Sequence, residues 1–416
     1  MDEEILHQKQ TFSRAVGPET GKESRRIRDR MTAFRNKYFP RATDGEWNDW
    51  HWQRENSLTD LEALEKVLRL SKDEREALSG NADGLPVLVT PYYAGLLDPV
   101  DSLHPLRRTV VPVMAEYHRK PGEQSDPLSE KVHSPVPGIV HRYTDRVLFL
   151  VSDYCASYCR YCTRSRRVGR RHSDAKTLDD RWNAGIAYIE SNQQIRDILV
   201  SGGDPLILDD DRLDDLLARL RGIPHVDIIR IGTKAPLVLP QRVTPSLVKI
   251  LRKHQPLWMS LHCTHPDELT TEAGLALSML ADEGIPLQSQ TVLLAGVNDR
   301  VGTLQELFQG LLRLRVRPYY LFQCDPVAGS EHFRVPVKEG LKITAELRKS
   351  TSGMAVPLYM IDPPGGGGKI PLMAECLTER DGALVLMSAS EGESGPYEDD
   401  SGLSFALERG DGDGKG

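Results

Sequence analysis

The chain has 416 residues, of which 39% are apolar and 27% charged, and its formal net charge is −7. This length and composition suit one large α/β domain with smaller additions. The charged residues form no basic stripe, so the charge distribution does not favour a nucleic-acid partner. No apolar run reaches the roughly 18 residues that span a bilayer, so no membrane partner is expected. The six cysteines form no disulfide framework, and the acidic start lacks a signal peptide, which predicts a cytoplasmic location.

The first third of the chain is predicted to hold two segments. Residues 1–45 are charged and poor in apolar side chains, which predicts a flexible N-terminal arm. Residues 46–140 are expected to form an N-terminal helical region. A helix is predicted near 59–69, and the capping box Ser71-Lys72-Asp73-Glu74 predicts the start of another.

Residues 141–390 alternate short apolar strands with amphipathic helices, which predicts an α/β fold with a parallel sheet. Six strand–helix units are too few for a closed eight-fold barrel, so we expect a partial (β/α)6 barrel with a wide mouth. A further strand near 356–361 and a helix near 337–350 are expected to line the opening. The six strands are predicted at 145–152, 197–201, 227–232, 257–262, 287–294 and 317–323, with helices near 178–192, 210–221, 244–254, 267–283 and 302–315.

The stretch 391–416 contains eight acidic residues against two basic ones, and it is rich in Gly and Ser. This composition predicts a disordered acidic tail.

Three cysteines, Cys155, Cys159 and Cys162, have the spacing C-x3-C-x2-C directly after the apolar run 147–151. A loop at the carboxyl end of a buried strand is where α/β folds place ligands. An iron–sulfur cube usually takes four cysteines, so three leave one iron open for a reactant. The spacing resembles the signature of the radical S-adenosylmethionine superfamily. A zinc site completed by His172 and cysteines without a function are the alternatives.

Two further strand ends carry candidate ligand contacts. Ser201-Gly202-Gly203-Asp204 ends the second strand, and Gly202 and Gly203 would let the backbone approach a ligand closely. His262 ends the fourth strand and Gln290 lies on the fifth, so both are expected at the barrel mouth. Taken alone, a plain turn and a structural histidine are the more ordinary interpretations.

Four glycines precede Lys369 in the stretch 362–369, Asp-Pro-Pro-Gly-Gly-Gly-Gly-Lys. A phosphate-binding P-loop is excluded because Pro363 and Ile370 occupy positions that need Gly and Ser or Thr. A mobile glycine hinge can instead deliver a lysine amine to a carbonyl cofactor, and pyridoxal phosphate is the natural inference.

Arg142 and Arg146 lie four residues apart in His141-Arg142-Tyr143-Thr144-Asp145-Arg146, just upstream of the first predicted strand. Two guanidinium groups at this spacing can grip a phosphate. A pair of surface ion-pair arginines is the alternative.

Taken in order, these motifs resemble the lysine 2,3-aminomutase family over about residues 45–390. The resemblance rests on the cysteine loop, the 141–146 segment, Ser201-Gly202-Gly203-Asp204, Arg317-Pro318-Tyr319-Tyr320 with Gln323-Cys324-Asp325, and the glycine run before Lys369. It implies a 4Fe-4S cluster, S-adenosylmethionine and pyridoxal 5′-phosphate on a partial barrel. The family moves an α-amino group to the β-carbon by 5′-deoxyadenosyl radical chemistry on a pyridoxal phosphate aldimine.

The resemblance also implies roles for individual residues. The three cysteines would ligate the cluster, and Lys369 would bind pyridoxal phosphate covalently. Arg164 would pair with the substrate carboxylate, and Asp325 with Asp362 would hold its distal cation. Arg142 and Arg146 would serve pyridoxal phosphate, whereas His262, Gln290, Gly202 and Gly203 would serve S-adenosylmethionine.

The two acids determine the expected substrate class. Carboxylates gathered in one site repel each other unless a cation lies between them. Asp325 and Asp362 therefore favour a small cationic amino acid: L-lysine giving β-lysine, with L-arginine giving β-arginine as the alternative. The alternative is that Asp325 and Asp362 are solvated loop acids that do not select the substrate. The sequence also leaves open a non-catalytic binding or electron-transfer protein that uses only the cluster, and an enzyme that modifies lysine side chains of a partner protein.

The sequence departs from the family in one respect. Arg300 follows Gly296-Val297-Asn298-Asp299, and no cysteine follows Cys376, so both halves of the family's intersubunit zinc site are missing. We therefore predict no structural zinc and a homodimer. The cluster would receive its electron from a flavodoxin- or ferredoxin-like reductant.

Overall fold

The computed structural model describes residues 18–80, 84–118, 120–169, 175–365 and 367–373, together with the backbone of 377–380, 383–388, 397–398 and 404–409. Side chains are described between Ile27 and Met373, apart from the same gaps and Ala175. Residues 1–17 of the expected arm, His172 and most of the expected tail lie outside the described residues.

The N-terminal region is helical up to Arg108, and a longer segment with one 3-10 turn (Met114–Tyr117) then leads to the first strand. Helices also occupy part of the stretch in which a flexible arm is expected, and Ile27 and Met31 of the first helix are buried in the core of this region. The helices are α1 (Pro18–Tyr38), α2 (Asp44–Trp47), α3 (Trp50–Glu55), α4 (Leu61–Val67), α5 (Lys72–Ser79), α6 (Pro91–Ala94) and α7 (Pro105–Arg108).

The predicted capping box begins α5. Ser71 Oγ accepts a hydrogen bond from Glu74 N at 3.2 Å, and the Glu74 carboxylate accepts one from Ser71 N at 2.7 Å. The same carboxylate forms a buried ion pair with Arg107 of α7, with an Nη2–Oε2 distance of 2.7 Å. One carboxylate thus begins a helix and joins it to a distant segment.

Residues 139–371 contain a nine-stranded sheet whose spatial order follows the chain. Strands β2 to β8 pair in parallel, whereas β1 and β9 are antiparallel strands at the two edges. The sheet is open, and the expectation of an α/β partial barrel is confirmed. The strands are β1 (Ile139–Tyr143), β2 (Arg146–Ser152), β3 (Asp197–Gly202), β4 (Ile228–Thr233), β5 (Leu257–His262), β6 (Leu287–Leu293), β7 (Val316–Gln323), β8 (Leu358–Ile361) and β9 (Ile370–Pro371).

Helices cover the sheet between successive parallel strands. Their apolar faces and the apolar strands share one core, to which Trp182, Tyr359 and Phe149 contribute the largest fully buried side chains. This arrangement presents the carboxyl ends of the strands at one rim. The helices are α8 (Ala175–Ser191), α9 (Asp210–Arg221), α10 (Ala235–Val238), α11 (Pro245–Lys253), α12 (Thr271–Asp282), α13 (Val301–Arg313) and α14 (Val337–Ser350).

The segment 141–146 differs from its expected position upstream of the first strand. It covers the end of β1, a tight turn and the start of β2, and Tyr143 pairs with Arg146 across this hairpin. Arg142 and Arg146 therefore lie on neighbouring antiparallel strands. Polar residues of an edge strand lack the continuous apolar pattern of a buried parallel strand, which explains why the sequence pattern does not predict β1.

A second sheet lies at the C-terminal end of the described chain. It has the order β10-β11-β13-β12 and overlaps the stretch in which a disordered tail is expected. Its strands are β10 (Leu377–Arg380), β11 (Ala383–Ser388), β12 (Tyr397–Glu398) and β13 (Ser404–Arg409). Among the described helices of the whole chain, none is long and apolar enough to cross a membrane.

Candidate active site

The cysteine motif lies in the loop after β2, and the N-terminal region holds this loop from outside the barrel. Ser157 Oγ donates a hydrogen bond to Leu88 O at 3.0 Å, and Tyr158 N donates to the same oxygen at 3.3 Å. Backbone and side chain of adjacent residues thus share one acceptor. These bonds fix the first half of the cysteine loop.

Arg160 fixes the second half of the loop. Its side chain is buried and donates hydrogen bonds to Leu85 O and Pro86 O, both at 3.0 Å. It also forms a buried ion pair with Glu116. A buried charge without a partner is costly, so this pair strongly favours one placement of the loop.

The three cysteine side chains are half-buried and lie near one another. Desolvation raises the pKa of Cys162 to about 11 and the pKa values of Cys155 and Cys159 above their ordinary value. Among the described residues, no three His, Cys, Asp or Glu side chains are arranged to hold a single metal ion. A cube binds each cysteine through a different iron, and its positive charge favours the thiolates, so these three residues fit a cluster better than a mononuclear site.

Gly202 and Gly203 bring the end of β3 onto the cysteine loop. Gly203 N donates to Ser152 O at 2.6 Å. A Cβ at Gly202 would lie 2.3 Å from Ser152 O, and one at Gly203 would lie 2.1 Å from Tyr154 O. The close approach is therefore to the backbone of the neighbouring loop, and contact with S-adenosylmethionine stays a prediction.

His262 and Gln290 are directly paired residues on β5 and β6. The Nε2 atom of His262 lies 2.8 Å from the hydroxyl of Tyr161, the residue before the last cysteine of the motif. Burial, together with the positive charge of Lys234, lowers the pKa of His262 to about 3, so the ring is neutral at physiological pH. His262 therefore lies on the rim beside the cysteine loop with Gln290 next to it on β6, and contact of either residue with S-adenosylmethionine stays a prediction.

Lys369 lies at the opposite edge of the sheet, directly before β9. Its Nζ donates a hydrogen bond to Asp362 Oδ2 at 3.0 Å and lies 5.2 Å from the centre of the Phe322 ring. Its backbone N–H donates to the hydroxyl of Tyr143 on β1 at 2.9 Å. The side chain is 33% exposed, so the amine can be reached from the mouth.

Arg142 reaches the same carboxylate from β1. Its Nη1 lies 3.5 Å from Asp362 Oδ1, and its Nη2 donates to Leu128 O. Its buried Nε has no hydrogen-bond partner among the described residues. A buried donor without a partner beside the Lys369 amine fits an anionic group such as a phosphate.

Arg146 is the more exposed of the two predicted phosphate arginines. It pairs with Asp145 at 2.9 Å and stacks on the Tyr143 ring, with 3.9 Å between the guanidinium carbon and the ring centre. Tyr143 thus contacts Arg146 through its ring and Lys369 through its hydroxyl. The hairpin gathers these groups around the lysine.

Asp325 follows β7 and is half-buried beside the Asp362–Lys369 pair. Burial and the charge of Asp362 raise its pKa to about 7, although Lys369, Arg142 and Arg164 each act in the opposite direction. No described side chain donates a hydrogen bond to its carboxylate. The mouth therefore holds a half-buried carboxylate that receives no hydrogen bond from a described side chain and lies close to a second carboxylate.

Arg164 connects the two parts of the site. Its Nε donates to Glu130 Oε1 at 2.8 Å. Its charge interacts with Cys155 and Cys162 on one side and with Asp325 on the other. The cysteine loop and the acid pair therefore line one mouth, with Arg164 between them.

The chain is similar to proteins of known families. The family model described as Lysine-2,3-aminomutase matches residues 344–402, and that of the Radical SAM superfamily matches residues 149–307. The chain is 47% identical to an L-lysine 2,3-aminomutase of Fusobacterium nucleatum, over 86% of this chain and 84% of the relative. It is 44% identical to an L-lysine 2,3-aminomutase of Acetoanaerobium sticklandii, over 90% of each chain.

The chain belongs to the lysine 2,3-aminomutase family. It is a radical S-adenosylmethionine enzyme and an isomerase of the aminomutase type, and this membership implies a 4Fe-4S cluster and S-adenosylmethionine. Family membership alone does not determine the substrate, because the chain is also 38% identical to a glutamate 2,3-aminomutase of Clostridioides difficile, over 86% of this chain and 84% of the relative.

A solved structure of lower similarity is that of Streptococcus suis SuiB bound to S-adenosylmethionine. It matches 56% of this chain and 52% of its own, with 17% sequence identity and a TM-score of 0.40.

This aminomutase also contains a buried ion pair that the sequence does not predict. Lys234, at the end of β4, donates to Glu268, which also accepts a hydrogen bond from Tyr93 Oη at 2.8 Å. Burial opposes both charges, but the pair raises the pKa of Lys234 and lowers that of Glu268 to about 2. The charge of Lys234 also acts to lower the pKa of the neighbouring Cys159 thiol.

Nothing in the sequence marks these two residues as partners, because they lie 34 positions apart and neither belongs to a motif. Their one available signal is that Lys234 follows a predicted strand, as do the cysteine loop and His262. Residues at the same end of neighbouring parallel strands meet at one rim.

Proposed function

We propose that this aminomutase acts on L-lysine and moves its α-amino group to the β-carbon, with pyridoxal 5′-phosphate bound covalently to Lys369. The observation that carries the substrate assignment is the pair of acids, Asp325 and Asp362, at the far side of the mouth from the cysteine loop. Burial first, and then the negative charge of Asp362, raise the pKa of Asp325 to about 7, so a further cation beside the two acids would favour the charged form of Asp325.

The cations now beside Asp362 belong to the cofactor side of the proposed site. Lys369 Nζ lies 3.0 Å and Arg142 Nη1 3.5 Å from its carboxylate. When these two groups engage the cofactor, the acids need another cation. The side-chain ammonium of L-lysine meets this need, whereas the carboxylate of L-glutamate would add a third negative charge.

The other end of the substrate is assigned to Arg164. A guanidinium fits a carboxylate through two parallel hydrogen bonds, and Arg164 is 20% exposed with only Nε engaged by a described residue. An amino acid held between Arg164 and the acid pair lies with its carbon chain across the mouth. Its α- and β-carbons then lie nearer to the cysteine loop than its ammonium does.

The residues fit the cofactors that this proposal requires. Lys369 offers a reachable amine, Arg142 an unpartnered buried donor, and Arg146 a second guanidinium. When bound, the cluster with S-adenosylmethionine supplies a 5′-deoxyadenosyl radical, and pyridoxal phosphate supplies a ring that stabilises the radical of a migrating amino group. The protein contributes position and exclusion of water.

Two partner assignments complete the proposal. The cluster receives its electron from a flavodoxin- or ferredoxin-like carrier, as the resemblance to the family implies. The protein assembles as a homodimer, because Arg300 occupies the position at which the family's intersubunit zinc site would have a cysteine.

Product analysis tests this proposal. The anaerobically reconstituted protein is incubated separately with L-lysine, L-arginine and L-glutamate, and the β-amino acids are quantified by mass spectrometry. We expect β-lysine as the main product. β-Arginine in excess would assign the same acids to a guanidinium, and β-glutamate in excess would refute the role of the acid pair.

A matched variant ties the result to these residues. Asp325→Asn removes one acid of the pair, whereas Asp282→Asn removes an exposed acid on α12 that pairs with Arg315. Only the first substitution is expected to lower the preference for L-lysine. Equal behaviour of the two variants would show that Asp325 does not determine the substrate.

A further inference from the structure

A tight turn at residues 126–131, here named the mouth turn, lies over the candidate site. Asp126 holds it together, since its Oδ1 accepts from Glu130 N and its Oδ2 accepts from Lys131 N, both at 3.0 Å. Ser129 has a φ of 51°, which turns the chain sharply before Glu130. As a result the Glu130 side chain points inward and is only 4% exposed.

Glu130 bridges two arginines of the cysteine loop. Its Oε1 accepts from Arg164 Nε at 2.8 Å, and its Oε2 accepts from Arg166 Nη2 at 2.9 Å. Arg166 also pairs with Asp126 at 2.9 Å. Burial alone would raise the pKa of Glu130, but Arg164 and Arg166 outweigh it and hold the pKa below its usual range.

Glu130 binds the Nε atom of Arg164 and leaves one edge of the guanidinium available to a ligand. Within the described part of the chain, Nε is the only atom of this group that donates to an acceptor. Nη1 and Nη2 form the end-on edge, which matches the two oxygens of a carboxylate. An arginine that is already fixed by its Nε loses less side-chain freedom when a ligand binds that edge.

The mouth turn also contacts the cofactor side of the site. Leu128 O accepts from Arg142 Nη2, and Pro127 O accepts from Gly365 N at 3.2 Å. Gly365 belongs to the glycine run before Lys369. The turn therefore joins the groups assigned to the substrate carboxylate with those assigned to the cofactor.

We propose that Glu130 is a positioning residue that fixes Arg164 for recognition of the substrate carboxylate. The inference rests on the role of Arg164 in the proposed function. Glu130 does not touch the substrate but acts through Arg164. A purely structural role, in which Glu130 only attaches the mouth turn to the cysteine loop, predicts a different pattern of ligand binding.

The test compares two ligands that differ only in the carboxylate, L-lysine and 1,5-diaminopentane. Their binding to the reconstituted holoprotein is measured by titration calorimetry for the parent and for Glu130→Ala. We expect the variant to bind L-lysine about tenfold or more weakly, the loss typical of a charge-assisted hydrogen bond, and the diamine within about twofold of the parent. In turnover the KM for L-lysine rises more than kcat falls.

Two further variants serve as controls. Glu130→Gln keeps an acceptor for Arg164 Nε but loses the charge, so its preference for L-lysine is expected to fall only about threefold. Glu123→Gln changes another buried acid of the preceding chain, which pairs with Arg334 at 3.4 Å and does not contact Arg164. It is expected to leave the ratio of the two affinities unchanged.

The outcomes separate this inference from the proposed function. A parent protein that binds L-lysine no better than the diamine would refute the role of Arg164 itself. If the parent protein clearly prefers L-lysine and Glu130→Ala keeps this preference, only the positioning role is refuted. An equal loss of affinity for both ligands in Glu130→Ala would refute it as well. If Glu130→Ala does not fold, Glu130→Gln provides the test. A ratio of its affinities for L-lysine and 1,5-diaminopentane equal to that of the parent would refute the positioning role.

Discussion

The hydroxyl of Tyr143 accepts a hydrogen bond from the backbone N–H of Lys369 at 2.9 Å, although the two residues lie 226 positions apart. Tyr143 ends β1 and Lys369 immediately precedes β9, which are the two edge strands of the open sheet. Their contact brings the edges of the sheet together beside the lysine. The open barrel is thereby narrowed at the position where the cofactor is proposed to bind.

Tyr143→Phe removes this bond and keeps the ring beneath Arg146. Since a single hydrogen bond contributes about 0.5–1.5 kcal/mol, pyridoxal phosphate should bind roughly two- to tenfold more weakly. Cofactor absorbance during titration of the apoprotein measures this. The control is Tyr188→Phe. The hydroxyl of Tyr188 lies 2.8 Å from Nδ1 of His141, which is another residue of β1. An unchanged affinity in Tyr143→Phe would show that the bond does not support the cofactor site.

The raised pKa of Asp325 predicts a pH-dependent affinity for a cationic substrate. Asp325 is charged above about pH 7 and becomes protonated below it, so L-lysine should bind more tightly as the pH rises through this range. Titrations of the holoprotein between about pH 6 and pH 8.5 measure the change. Asp325→Asn should abolish it, and an unaltered pH dependence in that variant would assign the titration to another group.

The same pKa predicts how stability varies with pH in the ligand-free protein. The folded-state pKa of about 7 lies above the ordinary value of 3.8, so the native state holds this proton more tightly than the unfolded chain does. The resulting stabilisation is complete below about pH 4 and is lost as the pH rises through about 7. Asp325→Asn should therefore raise the melting temperature more at pH 8.5 than at pH 5. The opposite order would contradict the assignment.

Arg160→Met tests how the N-terminal region supports the cysteine loop. The substitution removes the bonds to Leu85 and Pro86 and leaves Glu116 buried without its partner, which typically costs about 3–5 kcal/mol. We expect a lower melting temperature and less iron bound after reconstitution. Arg196→Met breaks an exposed pair with Asp227 and should cost at most about 1 kcal/mol. Equal iron contents in the two variants would mean that the loop holds its shape without this pair.

Gly203→Ala tests the close approach of β3 to the cysteine loop. The added Cβ would lie 2.1 Å from Tyr154 O, so one of the two backbones must move. We expect loss of the cluster or of folding, read from iron content and circular dichroism. Gly302→Ala on α13 meets nothing within 4 Å and should be neutral or stabilising by up to about 1 kcal/mol. A Gly203→Ala protein with its full iron content would show that the approach is not required.

The parallel strands could be predicted closely because most of them contain a buried apolar run, such as 147–151 in β2, although β6 and β7 also carry polar residues. The strand at Leu257–His262 and the helix at Asp210–Arg221 have their predicted bounds. The edge strands β1 and β9 could not be predicted, since one carries polar residues and the other has only two residues. Part of the predicted arm forms α1, whose buried Ile27 and Met31 are too few to mark it in a charged sequence.

The motifs could be placed at the mouth from their positions after strands, but their partners could not. Glu130 lies in a loop without any catalytic pattern, and it meets Arg164 only because Asp126 and Ser129 shape the mouth turn. Lys234 and Glu268 meet across two strand ends. Such pairings depend on the three-dimensional course of loops, which leaves no periodicity in the sequence.

The central claim is that the cysteine loop and Lys369 serve one reaction at one mouth. The most direct test supplies L-lysine deuterated at the β-carbon to the reduced, reconstituted protein and measures deuterium in the recovered S-adenosylmethionine. We predict that deuterium enters its 5′-position in the parent protein and does not do so in Lys369→Ala. Formation of β-lysine without any label in S-adenosylmethionine, or equal labelling in Lys369→Ala, would contradict the claim.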